Sequence, residues 1–588
     1  MDFIPIISSL KENYNSYHFH NLMPFTPTPE NLAIRDEFLK GVSLIVNACA
    51  GSGKTTQMCW LTEQIENGSQ KSILALSFSK AIVTELESRL PRYVIAKTYN
   101  GLGHNVWQQH VGRRLKVESN KMFTLLKDML PWTDFELYGT TASKLVGIAK
   151  NAGVGTFLLP DEPRTWFDLM AKFNIFLDSE DADDDTLVKV CRSALAESNR
   201  AAMEGFCDFD DQLYMPILKG LKFPKYQIIF VDEAQDTNNI QREMVRQLLA
   251  PSGQLFVCGD VSQAIYGFRG ADSDSMQKFQ SEFNLKPLPL SVCFRCSQEV
   301  IKGAQRYVTS LIPGIVGIRA HDSAPKGALT HMPDYDVETF EARDAILCRN
   351  TAPLVTFAFG LIQRHVGCRV LGRESGTGLV TLIKSCKTED MKELEQKLIN
   401  RRTREVAKAV AKGADPSAIE DKYDCLNIFL QNNDSVEDVI AAITRLFDDK
   451  AKGLLTLSTI HKAKGLEWHR VFILDWGLLP SKWAKQPWMQ QQERNLQYVA
   501  STRPKDTIVF IQSGQWRKPC NRAIQRAIDG VDNPVTTVNP PFVSVEPQPE
   551  PFPPENFDRM ESDAAAREWY ANQIYNSERV VGKGDGTE

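Results

Sequence analysis

Two short runs in this 588-residue chain carry side chains suited to phosphate chemistry. The first, ACAGSGKTT from Ala48 to Thr56, sits between an apolar stretch and a helical one. Glycines 51 and 53 let the backbone wrap closely around an anion, so the candidate cradle is Ala50, Gly51, Ser52, Gly53, Lys54, Thr55 and Thr56. Lys54 supplies charge to β- and γ-phosphates, and the Thr55 hydroxyl can ligate Mg²⁺. The second run is IIFVDEAQD, residues 228 to 236. An apolar strand ending in two acids places both at the carboxyl edge of a sheet, where ligands bind in α/β folds. There Asp232 can complete a Mg²⁺ shell, and Glu233 can orient and activate water as a base. Together the runs point to phosphoryl transfer to water. Arg295 in LSVCFRCS and Arg503 in YVASTRPK could stabilise the charge that such a transition state spreads over oxygen, reaching in from a second domain.

The elements that must position these groups follow an α/β pattern. VSLIVNACA and SILALSFS read as buried parallel strands, and AIVTELESRL as an amphipathic helix. The stretch from 104 to 204 is helical and strand-poor, after which YQIIFVDEA and GQLFVCGD return as strands. A second α/β stretch begins near 284 and holds DAILCRN, LLTLSTIH, RVFILDW and KDTIVFIQS. It too is interrupted, from 385 to 450, by charged helices, with Ser435 and Asp438 arranged as a helix N-terminal cap. From Asn533 to Pro554 the chain is too Pro-rich for helix or central strand and reads as an extended linker, followed by one short helix and a polar end.

Composition bounds the rest. At about 150 residues per domain the length suggests roughly four domains. A hydrophobic share of 43% and a charged share of 24% fit a folded globular enzyme and exclude global disorder. No run approaches 18 apolar residues, so no membrane span is expected, and the first twenty residues do not read as a signal peptide. The net charge of −5 gives no global argument for nucleic acid, although a locally basic groove remains open. Of the 12 cysteines only Cys293 and Cys296 form a CxxC, with no second pair to complete a zinc site, so free thiols and no structural metal are expected. The acidic run from Asp178 to Asp185 lacks the glycine and the glutamate of a calcium loop and reads as a solvated loop or helix end.

In order along the chain, AGSGKTT, SFSKAIVTEL (77 to 86), KTYNGLGH (97 to 104), VDEAQD, GDVSQAIYGFRGAD (259 to 272), LSVCFRCS, STIHKAKGLEW (458 to 468) and ERNLQYVASTR (493 to 503) resemble the successive motifs of the UvrD/Rep-type superfamily 1 DNA helicases. The resemblance covers residues 25 to 515. It implies two RecA-like P-loop NTPase domains with parallel sheets, each interrupted by a helical insertion. Domain 1A would take 1–103 and 205–283, 1B 104–204, 2A 284–384 and 451–530, and 2B 385–450, with a Pro-rich linker and tail over 531–588. It also implies an ATP-dependent DNA helicase or translocase that moves 3′ to 5′ on single-stranded DNA, acts at junctions with duplex, and requires Mg²⁺. The implied setting is cytoplasmic, in a bacterial cell or a phage-infected host. By resemblance Gln263 senses the γ-phosphate, Phe294 stacks on adenine, and Glu467 lies near the nucleotide. Phe78, Tyr266 and Phe268 match positions that stack on bases, with Arg269 and His461 as polar neighbours; aromatic faces grip any base without reading it. Asn31 falls at the family's adenine-reading glutamine, one methylene shorter; Thr56 stands where Arg is common, and Cys293 where Asn is usual. In the tail, Trp569, Tyr570, Ile574 and Tyr575 would present an apolar face to a single-strand-binding or replication protein.

Overall fold

Short, largely apolar runs build two parallel sheets in this computed structural model, which describes residues 26–173, 175, 177, 181–265, 274–308, 317–411, 416–448 and 454–516. The first sheet uses β1 (Leu44–Ala48), β2 (Ile73–Ser77), β3 (Val94–Thr98), β4 (Tyr226–Val231), β5 (Leu249–Gly259) and β6 (Lys286–Leu290), in the order β3-β2-β4-β5-β1-β6. The second uses β7 (Ala328–His331), β8 (Ala345–Cys348), β9 (Cys368–Val370), β10 (Leu455–Thr459), β11 (Trp468–Leu474) and β12 (Pro504–Ile511), in the order β7-β12-β11-β8-β10-β9. Every neighbouring pair in both sheets is parallel. Strands such as ILALS in β2, buried at every position, read as continuous apolar runs because helices cover both faces. All strands of one sheet therefore end on the same edge, and the loops there can share a ligand.

One expected boundary moves. Its position after 284 places β6 in the second domain on sequence, but it pairs in register with β1, Ile45 opposite Pro287 and Asn47 opposite Pro289. Two prolines remove N–H donors from KPLPL, which suits an edge strand and hides its sheet from a reading of periodicity.

Helices interrupt both sheets. Between β3 and β4 run the helices Lys121–Met129, Trp132–Ala152, Pro163–Phe173 and Asp184–Met203, the last capped by Asp183 through the Thr186 amide at 2.8 Å. A fully buried ionic knot anchors this insertion: Lys121 meets Asp211 at 2.5 Å, and Lys150 meets Asp208 at 2.6 Å and Asp211 at 2.7 Å. Buried charges are tolerated only when so paired, and removing one partner costs about 3–5 kcal/mol. Between β9 and β10 run the helices Met391–Ala411, Ser417–Gln431 and Val436–Leu446. Ser435 accepts from the Asp438 amide at 3.1 Å, as its spacing predicts. The Asp421 carboxylate accepts the Thr351 and Ala352 amides at 2.8 and 2.7 Å and so ties this insertion to the helix that follows β8. An apolar seam joins the two halves, with Cys49, Ala50 and Ile265 of the first packed among Cys293, Leu496, Tyr498 and Val499.

Candidate functional site

β1 delivers the chain into a loop that turns through two glycines with positive φ, +67° at Gly51 and +80° at Gly53, before the helix Lys54–Glu63 starts. Gly53 is the helix N-cap and supplies no side-chain hydrogen bond, so the first-turn N–H groups are left to an anion. Lys54 stands at the first position of that helix. Its ammonium donates to Glu233 at 2.9 Å. Burial opposes the lysine's charge, but Glu233 and Asp232 outweigh it and hold the ammonium above its ordinary range.

Asp232 and Glu233 follow the end of β4, as an apolar strand running into two acids requires. Glu233 is a non-glycine residue with φ +51°, a conformation that turns its side chain out of the strand direction and toward Lys54. The two carboxyls split in character. Burial, then the charge of Glu233, pushes Asp232 up to about 7. Glu233 feels the same burial, yet Lys54 and Lys464 outweigh it and hold the carboxyl down at about 2. An ionised base beside a buried, under-compensated carboxylate is the arrangement a cation would complete. The donors in place, the Asp232 carboxylate and the Thr55 hydroxyl, are the hard oxygens that Mg²⁺ prefers. The residues fit that ion.

The second half closes over this loop. The Phe294 amide donates to the Gly51 carbonyl at 2.9 Å. Arg295 pairs with Glu467 at 2.5 Å, and Lys505 meets the same acid at 2.6 Å. Arg503 is buried, with its guanidinium on the carbonyls of Val499 (3.0 Å) and Leu466 (3.1 Å) and the Thr502 hydroxyl (3.1 Å). Burial, then the charge of Arg295, pulls it down to about 10. Gln263 donates to Asp260 at 2.6 Å. Phe294 is 45% exposed, with one ring face stacked on His321 at 4.7 Å. The helix Pro487–Ser501 braces the loop after β5, Asn495 donating to the carbonyls of Val261 and Ala264 at 3.2 and 2.8 Å.

Other positions land differently. Asn31 is 1% exposed and completes a capping box: its oxygen accepts from the Thr28 amide (2.8 Å) and hydroxyl (2.7 Å), while its amide donates to Gln57 at 2.7 Å. Thr56 accepts from Arg89 at 2.8 Å. Phe78, directly after β2, is 53% exposed at the carboxyl edge of its sheet. His461, after β10, lines a cavity of about 470 Å³ with Arg349, Asn350, Glu374, Asp421 and Lys462 at the corresponding edge of the second sheet. Tyr266, Phe268 and Arg269 lie outside the described residues, as do the Pro-rich segment and the tail aromatics. Cysteines 293 and 296 are free thiols, and burial covers both.

Sequence reasoning passed over two residues that join the halves. Lys464 donates to both Asp236 oxygens, at 2.9 and 2.6 Å, and to the Gln263 carbonyl at 2.7 Å. Tyr498 meets the phosphate loop itself. Each sits inside a run that was singled out, but nothing local marks a lysine or tyrosine as bridging.

This fold is that of two RecA-like domains, with a P-loop sequence in one and the two candidate arginines in the other. Residues 184–284 match the family model of the UvrD/REP helicase N-terminal domain, and residues 381–515 that of the UvrD-like helicase C-terminal domain. The chain is 24% identical over 298 residues to DNA helicase II of Haemophilus influenzae, covering 45% of this chain and 38% of that protein. It is 27% identical over 287 residues to a probable DNA helicase II homolog of Mycoplasma pneumoniae, covering 45% and 39%. To the ATP-dependent DNA helicase Rep of Buchnera aphidicola it is 27% identical over 304 residues, covering 47% and 44%. The chain thus spans roughly two fifths of the length of these curated relatives. Over these residues it is similar to the UvrD/Rep-like superfamily 1 helicases.

Proposed function

We propose that the chain is an ATP-dependent DNA motor that hydrolyses ATP to move 3′ to 5′ along single-stranded DNA and to separate duplex at a junction. The observation that carries this reading is the contact of Lys54 with Glu233 beneath a loop on which Arg295 of the other lobe leans. Lys54 and the first-turn amides hold the triphosphate. Thr55 and Asp232 would hold Mg²⁺, which would supply positive charge against the phosphate oxygens. Glu233 takes the proton of the attacking water, for which its low pKa keeps it ionised. Arg295 and Arg503 move from Glu467 and from backbone carbonyls onto the charge that develops, and Gln263 carries the change toward the DNA track. Phe78, Tyr266 and Phe268 stack on bases beside Arg269 and His461, so that closing and opening of the cleft shifts the grip. Lobes and insertions play the 1A, 1B, 2A and 2B parts, and the tail tethers a single-strand-binding or replication protein. A cytoplasmic setting, in a bacterial or a phage-infected cell, belongs to the same reading.

Phosphate release with and without single-stranded DNA tests it. Stimulation by DNA is expected, as is loss of nucleotide binding in Lys54→Ala and loss of turnover with nucleotide retained in Glu233→Gln. Near-wild-type hydrolysis by Glu233→Gln would refute the assignment of the base. Absence of hydrolysis in the wild-type chain would leave only a DNA-binding adaptor.

A further inference from the structure

A ring of polar contacts leaves the phosphate loop and returns to it, and one member comes from the other lobe. Lys54 donates to Glu233 at 2.9 Å, and Gln235 donates to the same Glu233 oxygen at 2.6 Å. The Asp260 amide donates to the Gln235 side-chain oxygen at 3.0 Å. The Asp260 carboxylate accepts from the Tyr498 hydroxyl at 3.2 Å, and that hydroxyl accepts from the Ala50 amide at 2.9 Å. Ala50 lies four residues before Lys54, so the ring closes within one loop.

Every other member of the ring belongs to the first lobe; Tyr498 alone is carried by the helix Pro487–Ser501 of the second. Its side chain is fully buried, so its hydroxyl has no water to exchange with. A hydroxyl donates and accepts through one atom, which the ring requires at that point. The same helix ends just before Arg503, and one turn before Tyr498 it carries Asn495, which grips the carbonyls of Val261 and Ala264. Asn495 fixes the helix against the loop after β5. Tyr498 fixes it against the phosphate loop and, through Asp260 and Gln235, against the catalytic carboxylate.

We infer that Tyr498 is a positioning residue which transmits the placement of the second lobe to Glu233. The inference rests on the proposed DNA-stimulated ATP hydrolysis: a displacement of the second lobe imposed by DNA acts on Ala50 and Asp260 through one hydroxyl, and reaches Glu233 by two further hydrogen bonds. Polar chains of this kind act as units, so breaking any link disturbs the whole.

The test uses the full chain with Tyr498→Phe, which keeps the ring and removes only the hydroxyl. The readouts are kcat and KM for ATP, and the ratio of hydrolysis rates with and without single-stranded DNA. A fall of about tenfold in kcat, with KM changed much less, is expected for lost hydrogen bonds of this kind. The stimulation ratio should fall toward one. That ratio is independent of how much protein is folded, so a merely structural role leaves it unchanged. Asp260→Asn weakens the same contact from its other side, because one amide oxygen cannot replace the two carboxylate oxygens that accept from Tyr498 and its neighbours, and the double variant should be no worse than the worse single one. A wild-type ratio in both single variants, or losses that multiply in the double variant, overturns the inference. A wild-type chain without DNA-stimulated hydrolysis overturns the functional reading and this inference with it.

Discussion

Gly51→Ala should separate the two lobes at the point where they meet over the phosphates. A Cβ built at Gly51 would lie 2.6 Å from Arg295 Cβ, 2.9 Å from Cys293 Sγ and 3.4 Å from the Arg295 amide nitrogen. Carbon atoms rest at about 3.5–4.0 Å, so the arginine loop must retreat by roughly 1 Å. The φ of +67° adds a second cost, about 1–2 kcal/mol for an L side chain in left-handed geometry. A misplacement of about 1 Å in a catalytic constellation can cost on the order of 10²-fold in rate. Gly53 provides the control: its φ is +80°, but its nearest neighbour would be Thr56 Cβ at 3.7 Å, an ordinary contact. Gly53→Ala thus carries the conformational cost without the clash between lobes, and its kcat should fall less than that of Gly51→Ala. The assay is single-stranded-DNA-stimulated phosphate release at saturating Mg-ATP, with nucleotide binding followed separately by a fluorescent analogue. Expected for Gly51→Ala is a loss of about a hundredfold in kcat with nucleotide binding largely kept. If Gly51→Ala turns over as fast as Gly53→Ala, Arg295 does not work from the spacing observed, and the reasoning fails.

What the sequence discloses here tracks the distance over which an interaction acts. The phosphate loop and the acids after β4 are legible because strand, loop and helix lie within a few residues, and each local choice agrees with the next. The cap at Ser435 is legible for the same reason. Tyr498 and Ala50 are 448 residues apart, and Lys464 and Asp236 are 228 apart. Nothing in either neighbourhood announces the pairing. β3, VIAKT, escaped notice because it is short and places a lysine near its end, whereas its register against β2 buries Val94 and Ala96. Asn31 shows a local signal that the resemblance overshadowed. A resemblance gave it a partner in the nucleotide, while the structure satisfies its amide with Thr28 and Gln57, a local capping signal present in TPTPEN and passed over.

Three further outcomes follow from the geometry. Arg295→Ala and Arg503→Ala should each lower kcat by about 10³, far more than they weaken DNA binding without nucleotide; normal hydrolysis by both would show that the site does not span the lobes. Because the Asn31 amide is committed inside the protein and Phe294 offers only a stacking face, GTP, CTP and UTP should be hydrolysed within about tenfold of ATP. Rejection by about 10⁴ would reveal a site that hydrogen-bonds the base. The last concerns Asp210, next in sequence to Asp211 of the knot that anchors the first insertion. Burial, then the charge of Asp208, pushes its carboxyl up to about 7, against an ordinary 3.8, although Lys150 and a hydrogen bond from Asn151 at 3.1 Å oppose the shift. The folded chain therefore holds a proton between about pH 4 and 7 that the unfolded chain has lost, so this group makes stability fall as pH rises through that window. Asp210→Asn keeps an oxygen for Asn151 and removes the titration. Its melting temperature should exceed that of wild type at pH 8 by more than at pH 5, and parallel profiles for the two proteins would show that Asp210 is already ionised throughout.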